Sequence, residues 1–181
     1  MAARFFVVCY TKDMRRIVLM GCPGSGKSTQ GQKLAEFLGY PWISTGEILR
    51  SSKEQWIVEK LKTAELFDDD FVGDILENAL SEVEDAIIDG FPRTEKQAQK
   101  LLGLGVTEIV EISLPENEAL KRLSSRGREQ DDAIVARERI TEYNKMRAEV
   151  LNVLQNAGIK YTQIDGSGSI DEVFERIKEV L

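Results

Sequence analysis

Short apolar runs alternate along the chain with longer stretches in which apolar residues recur at helical spacing. The first run, Arg16 to Met20 (RIVLM), reads as a β-strand. A glycine-rich turn follows, then a helix that turns Leu34, Phe37 and Leu38 inward and stops at Gly39. Trp42 with Ile43, Ala86 to Asp89 (AIID), Ile109 to Leu114 (IVEISL) and Ile159 to Ile164 read as further strands, with helical patterns between them. In the last helix Ser169 and Glu172 form a capping box, and Ile170, Val173, Phe174, Ile177 and Leu181 share one face. This alternation predicts an α/β fold with a five-stranded parallel sheet covered by helices on both faces. Two stretches stand outside the pattern. Ser44 to Leu80 reads as a helical insertion, and Leu123 to Asp132 as a short, Arg-rich polar passage ahead of a long amphipathic helix carrying Ile140, Tyr143, Val150, Leu151 and Leu154.

The 181 residues carry no internal repeat or Pro/Ser-rich linker, so one domain is expected. The residues before Met14 read as an appendage: a tail, an extra strand or a start-site artefact, since MRRIVLMG would itself make a plausible start. At 42 % hydrophobic and 30 % charged residues the composition is that of a globular protein. No apolar run reaches membrane-spanning length, and the stretch Phe5 to Val8 is too short for a signal peptide, so a cytoplasmic protein without a membrane partner is expected. A formal charge of −7 argues against nonspecific nucleic-acid binding, and any anion site must be a local basic cluster. Cys9 and Cys22 form no CxxC pair, so neither zinc nor a disulfide framework is indicated. The absence of histidine removes the commonest general base.

Gly21-Cys22-Pro23-Gly24-Ser25-Gly26-Lys27-Ser28, followed by Thr29, matches GxxxxGK[ST] between a predicted strand and a predicted helix. Glycines at these positions let successive backbone N–H groups curve around a phosphate, and the helix N-terminus adds partial positive charge. Lys27 would reach the β/γ-phosphates and Ser28 would hold Mg²⁺. Asp89, ending its strand, could orient a water of the Mg²⁺ shell or simply start the turn at Gly90 and Pro92.

Beyond the loop, the chain resembles the adenylate kinases, the P-loop kinases of nucleoside monophosphates. Ile43-Ser44-Thr45-Gly46-Glu47-Ile48-Leu49-Arg50 is similar to their ISTGD-x-LR segment, and Asp89-Gly90-Phe91-Pro92-Arg93-Thr94, with Gln97 and Ala98 following, to their DGFPRT. Ala64-Glu65-Leu66-Phe67 with Asp69 and Val72 resembles GELVPDELV with Ala in place of Gly, and Arg122 to Arg128 resembles the start of their lid. The resemblance implies a three-layer P-loop NTPase fold, a monophosphate-binding insertion over 44–80, a lid over 123–132, Mg²⁺ with ATP as cofactor, and a monomer. It implies that Arg50 and Arg93 hold the AMP phosphate, and that Gly90 and the backbone near Phe67 line that site. Thr45 and Gln97 would read its base, and Arg122 would lie against the ATP adenine. Lys27, Arg93, Arg126, Arg128 and Arg139 would gather around the transferred group. Retention of Thr45 and of Pro92-Arg93-Thr94 favours AMP over pyrimidine monophosphates.

Other readings of these residues stay open. Thr94 with Gln97, and Ser44 with Glu47, are also capping boxes. Arg122, Arg137 and Arg139 could form a solvated face paired with Glu138 and Glu142. The lid departs from the family pattern, because only Gly127 separates Arg126 from Arg128 and the paired aspartates are displaced. Besides AMP, CMP, UMP or dAMP could be the acceptor, and a regulatory nucleotide binder with weak turnover or an ATPase is the alternative class. Against the ATPase, Gly90 stands where a water-activating Glu often follows the aspartate.

Overall fold

The computed structural model describes residues 14–126 and 132–181. Five strands, β1 (Arg16–Met20), β2 (Trp42–Ser44), β3 (Ala86–Asp89), β4 (Glu108–Ser113) and β5 (Lys160–Asp165), form one sheet of order β2-β3-β1-β4-β5. Every pairing is parallel. Among the described residues eight helices connect or flank them: α1 (Lys27–Leu38), α2 (Thr45–Ser51), α3 (Gln55–Leu61), α4 (Asp69–Leu80), α5 (Glu95–Leu102), α6 (Glu116–Arg126), α7 (Ala133–Asn156) and α8 (Ile170–Val180).

Strand side chains alternate between two core layers, as the two-residue repeat of a strand requires. Ile17, Leu19, Ile87, Val110 and Ile112 pack beneath α1 and α8 against Leu34, Val173, Phe174 and Ile177. Val18, Met20, Ile88 and Ile109 face the other way, against Leu76 of α4, Leu101 of α5 and Leu154 of α7. A third cluster joins Cys22 to Ala119 and Leu123 of α6 and to Ala136 and Ile140 of α7, seating the turn after β1 on two helices.

The chain goes from β1 to β2 and β3 on one side and returns to β4 and β5 on the other. The carboxyl end of β1 is therefore a switch point, where loops diverge and leave a crevice, the usual place for a ligand in such sheets. Register puts Asp89 beside Leu19 of β1 and Ser44 of β2, at that same edge.

Two expectations fail locally. Phe37 is 60 % exposed rather than inward, because it lies edge-on to Phe174 at the rim of the layer with the Lys178 ammonium over its ring. Ile170 is 55 % exposed, as it opens α8 beyond the sheet. Leu123 to Arg126 form the last turn of α6. Arg128 and the rest of 127–131 lie outside the described residues, as does the whole appendage before residue 14. Among the described residues no helix is long and apolar enough to cross a membrane.

Candidate active site

Glycines of positive φ shape the turn between β1 and α1. Gly26 is left-handed (φ 90) where α1 begins, and Gly24 (φ 86) lies so close to α6 that a Cβ would collide with the carbonyl of Ala119. The turn is closed by Ser25 N–H donating to Cys22 O at 3.1 Å. Lys27 Nζ donates back to Cys22 O at 3.3 Å, so the ammonium is held over the loop that its own helix opens. Burial pushes the Lys27 ammonium below its usual pKa; Asp89 opposes that, while Arg93 and Arg126 add to it.

Asp89 is buried, and its Oδ2 accepts from Ser28 Oγ at 2.6 Å and from Ser44 Oγ at 3.3 Å. Its Oδ1 is buried with no hydrogen-bond partner among the described residues. A buried carboxylate oxygen left without a donor is costly. A carboxylate and a serine hydroxyl at the foot of a phosphate loop are hard oxygen donors of the kind Mg²⁺ takes, so the residues present fit the ion.

Lys27, Arg50, Arg93, Arg126 and Arg139 line one cleft of ~160 Å³ at the carboxyl ends of β1 and β3, together with Gly21, Pro23, Ser28, Asp89, Gly90 and Phe67. Arg93 shows the strain of this crowding. Although the residue keeps solvent exposure, partial loss of hydration in the cleft lowers its pKa, Arg139 and Arg50 lower it further, and Asp89 alone among the named causes raises it. Excess positive charge in a half-enclosed space is relieved by an anion, which makes the cleft an anion trap. The arginines are meanwhile aimed by local bonds. Arg50 Nη2 pairs with Glu47 Oε1 at 2.7 Å, Arg93 Nε donates to Gly90 O at 3.1 Å, and Arg139 Nη2 donates to the carbonyls of Leu61 and Thr63 at 2.6 and 2.8 Å. The last pair ties α7 to the turn between α3 and α4.

A second cleft of ~520 Å³ lies on the far side of the loop, lined by Gly24, Gly26, Thr29, Arg122, Arg126 and Ile170 among others. Arg122 spans its mouth, with Nη2 donating to Gly166 O at 3.0 Å and to Gly168 O at 3.4 Å. Its carboxylate neighbour is Glu118 at 3.7 Å, rather than Glu138 or Glu142 of the charged-face reading. Arg126 lines both clefts and stands where they meet.

Thr45 and Gln97 are brought near this site but not onto its open wall. They are 1 % and 2 % exposed, and neither lines either cleft. Thr45 sits against Gly90, and a Cβ at Gly90 would come within 2.8 Å of Thr45 Oγ1. Gln97 N–H donates to Thr94 Oγ1 at 3.2 Å, so Thr94 caps α5, but Gln97 Oε1 accepts from Arg93 N–H at 2.8 Å rather than from Thr94 N–H, and the reciprocal capping box is not closed. The N-cap at Ser44 likewise accepts from Glu47 N–H at 3.3 Å.

Sequence reasoning passed over three features. The carbonyls of Cys22, Leu61 and Thr63 have no side-chain signature. Asp69, which accepts from Gln97 Nε2 and Thr94 Oγ1 at 2.9 Å each, entered only as part of a motif. Glu111, a lone carboxylate inside IVEIS, is buried at the centre of a polar cluster on β4. A charge inside a doubly covered parallel strand demands a partner, and that demand was the signal to follow.

A phosphate loop at the switch point of a parallel sheet, faced by convergent arginines, defines a P-loop nucleotide-binding protein. The family model "Adenylate kinase" matches residues 19–159, and the chain belongs to that family. It is 39 % identical over 181 residues to an adenylate kinase of Mycolicibacterium vanbaalenii, covering 92 % of this chain and 98 % of the relative. It is 34 % identical to one of Mycobacteroides abscessus with the same coverage, and 35 % identical over 185 residues to one of Xanthomonas oryzae pv. oryzae, covering 92 % of this chain and 98 % of the relative.

Proposed function

We propose that this protein is a nucleoside monophosphate kinase that catalyses ATP + AMP ⇌ 2 ADP with Mg²⁺. The observation that carries the reading is the meeting of Lys27, Arg50, Arg93, Arg126 and Arg139 in one cleft beside the phosphate loop. On this reading the loop and the ~520 Å³ cleft take ATP, with Arg122 against its base, and Arg50 and Arg93 take the acceptor phosphate. The α2–α4 segment is the acceptor-binding insertion.

The chemistry requires no histidine. The nucleophile is an oxygen of the acceptor phosphate, whose second pKa of about 6 leaves it ionised at neutral pH. It attacks the γ-phosphorus in line, a new O–P bond forms, the bond to the β-phosphate oxygen breaks, and the leaving ADP takes the negative charge. Like charges about 4 Å apart repel by about 4 kcal/mol per unit pair at an effective dielectric of 20. Lys27, Arg93 and Arg139 offset that repulsion, and the planar arginine forks fix the approach. Mg²⁺, held with ATP by Ser28 and by Asp89, directly or through water, would supply charge neutralisation on the transferring phosphates.

The family relatives are named adenylate kinases, and the chain keeps Thr45 and Pro92-Arg93-Thr94, so AMP is the acceptor proposed. The burial of Thr45 and Gln97 away from the cleft wall favours, as a second reading, a kinase tolerant of CMP, UMP or dAMP. A panel of monophosphates offered with Mg-ATP tests both. ADP formation dependent on AMP, with other bases at least tenfold poorer in kcat/KM, supports the first. Comparable rates across bases support the second, and phosphate release without acceptor rejects both.

A further inference from the structure

Helix α7 has two apolar seats. Ala136 and Ile140 rest on the Cys22 cluster of the phosphate loop, and Val150, Leu151 and Leu154 are buried toward the sheet. Between Ile140 and Val150 no residue of α7 is fully buried. Glu111 of β4 fills that interval. Its Oε1 accepts from Tyr143 OH and Arg147 Nε, and its Oε2 from Arg147 Nη2 and Tyr161 OH, all at 2.5 Å. Two donors on each oxygen use the full acceptor capacity of a carboxylate. Arg147 Nη2 also donates to Tyr161 OH at 3.0 Å, closing the ring of contacts across β4, β5 and α7.

The same helix presents Arg139, Glu142 and Tyr143 to the cation-lined cleft. Residues 139, 143 and 147 follow one another at four-residue steps, so their side chains lie along one stripe. Tyr143 belongs to both sets, since it lines the cleft and donates to Glu111. Apolar packing sets which face of α7 turns inward but constrains its axial position less closely. Directional bonds to one fixed acceptor set that position. Cys22, whose carbonyl holds Lys27, packs against the neighbouring turns of the same helix.

We propose that Glu111 is a positioning residue for phosphoryl transfer. By binding Tyr143 and Arg147 it fixes α7 so that Arg139 stands at a set place opposite Lys27. The proposal rests on the reading that Arg139 acts on the transferred group. Because Glu111 lines neither cleft, its loss should leave ground-state binding intact and lower the chemical step.

The test is a double-mutant cycle on the full-length protein, with AMP and Mg-ATP as substrates. Glu111→Gln should lower kcat about tenfold while KM for each nucleotide changes less than twofold. In an Arg139→Lys background the same substitution should lower kcat less than twofold, since the residue it positions has already been altered. Equal losses in both backgrounds, or unchanged kcat in Glu111→Gln, overturn the proposal. Arg139→Lys with undiminished kcat overturns it through the function reading, and that single variant identifies which of the two failed. If Glu111→Gln does not fold, Tyr161→Phe removes one donor from the side away from the cleft. It should lower kcat two- to threefold with the same dependence on Arg139, and equal losses in both backgrounds again overturn the proposal.

Discussion

The side-chain amide of Gln97 donates from Nε2 to Asp69 Oδ1 at 2.9 Å. With Oε1 accepting from Arg93 N–H, one end of the amide meets a pure acceptor and the other a pure donor, so its orientation is fixed by chemistry. The amide keeps one further N–H and one further lone pair. For a base held in one pose, that pattern complements a ring nitrogen beside an exocyclic amine, as in adenine, and opposes the carbonyl and N–H that guanine presents at the same two positions. Asp69→Asn, which can donate or accept, releases the constraint. The kcat/KM preference for AMP over GMP should narrow by about tenfold, the worth of roughly one hydrogen bond left unmade. Gln97→Ala should narrow it further and also cost about 1 kcal/mol of stability, because Arg93 N–H loses its partner. A lower melting temperature with unchanged base preference would leave Gln97 as a helix-cap residue only.

Asp89 provides a second test. Its Oδ2 is engaged by Ser28 and Ser44 while Oδ1 is buried without a partner. Asp89→Asn keeps the shape and removes a negative charge facing Lys27 and the incoming phosphates. ATP without metal should therefore bind the variant as tightly as the wild type or more tightly. The tightening that Mg²⁺ confers should shrink, and AMP-dependent turnover should fall by about a hundredfold or more. Binding titrations with and without Mg²⁺ separate the two effects. Mg²⁺-dependent binding that matches the wild type would remove Asp89 from the metal site.

Much of this frame was legible because parallel strands buried on both faces must be apolar along their length. Ile17 to Met20 and Ala86 to Ile88 obey that rule. β4 begins one residue earlier than its apolar run suggests, since Glu108 is buried with Arg15 at 2.7 Å and Lys160 at 3.4 Å as charged partners. Phe37 carried the right period for an inward residue, but periodicity cannot distinguish a core position from a rim position where an aromatic ring has another ring and a lysine to lie against. The phosphate loop was legible because its chemistry is local. The Gln97–Asp69 and Glu111–Arg147 contacts were not, because they join residues 28 and 36 positions apart that only the folded chain brings together.

Lys27 should shape the alkaline limb of activity. Burial and the neighbouring arginines hold its ammonium below the usual 10.5, and only Asp89 and Cys22 among the named causes oppose them. In the free enzyme kcat/KM for ATP should then fall at a pH below 10.5, whereas bound phosphates restore the charge and shift the limb of kcat upward. The unfolded chain binds more protons than the native one between the two values. Over that window Lys27 therefore makes stability rise with pH rather than fall. Lys27→Ala should abolish both the limb and, by orders of magnitude, the turnover, while the protein still melts cooperatively. Retention of near-normal turnover would remove the loop lysine from the mechanism.

Glu111 makes the opposite prediction at acid pH. Burial alone would raise its carboxyl pKa, but the bonds from Arg147, Tyr143 and Tyr161 hold it below the usual carboxylate value, and Tyr161 is itself pushed up to about 12, first by burial and then by its bond to the carboxylate. A group whose native pKa is depressed stabilises the fold above its unfolded value and loses that contribution as pH falls through the native one. Denaturant unfolding should therefore show wild-type stability declining more steeply than that of Glu111→Gln as pH falls below about 4.5. At neutral pH Glu111→Ala should cost about 2–4 kcal/mol, less than a fully enclosed pair would, because Arg147 retains 32 % of its side-chain exposure and can be solvated in part. Parallel acid profiles for wild type and Glu111→Gln would mean that the carboxylate is not the charged partner of Arg147 in solution, and the positioning role would fall with it.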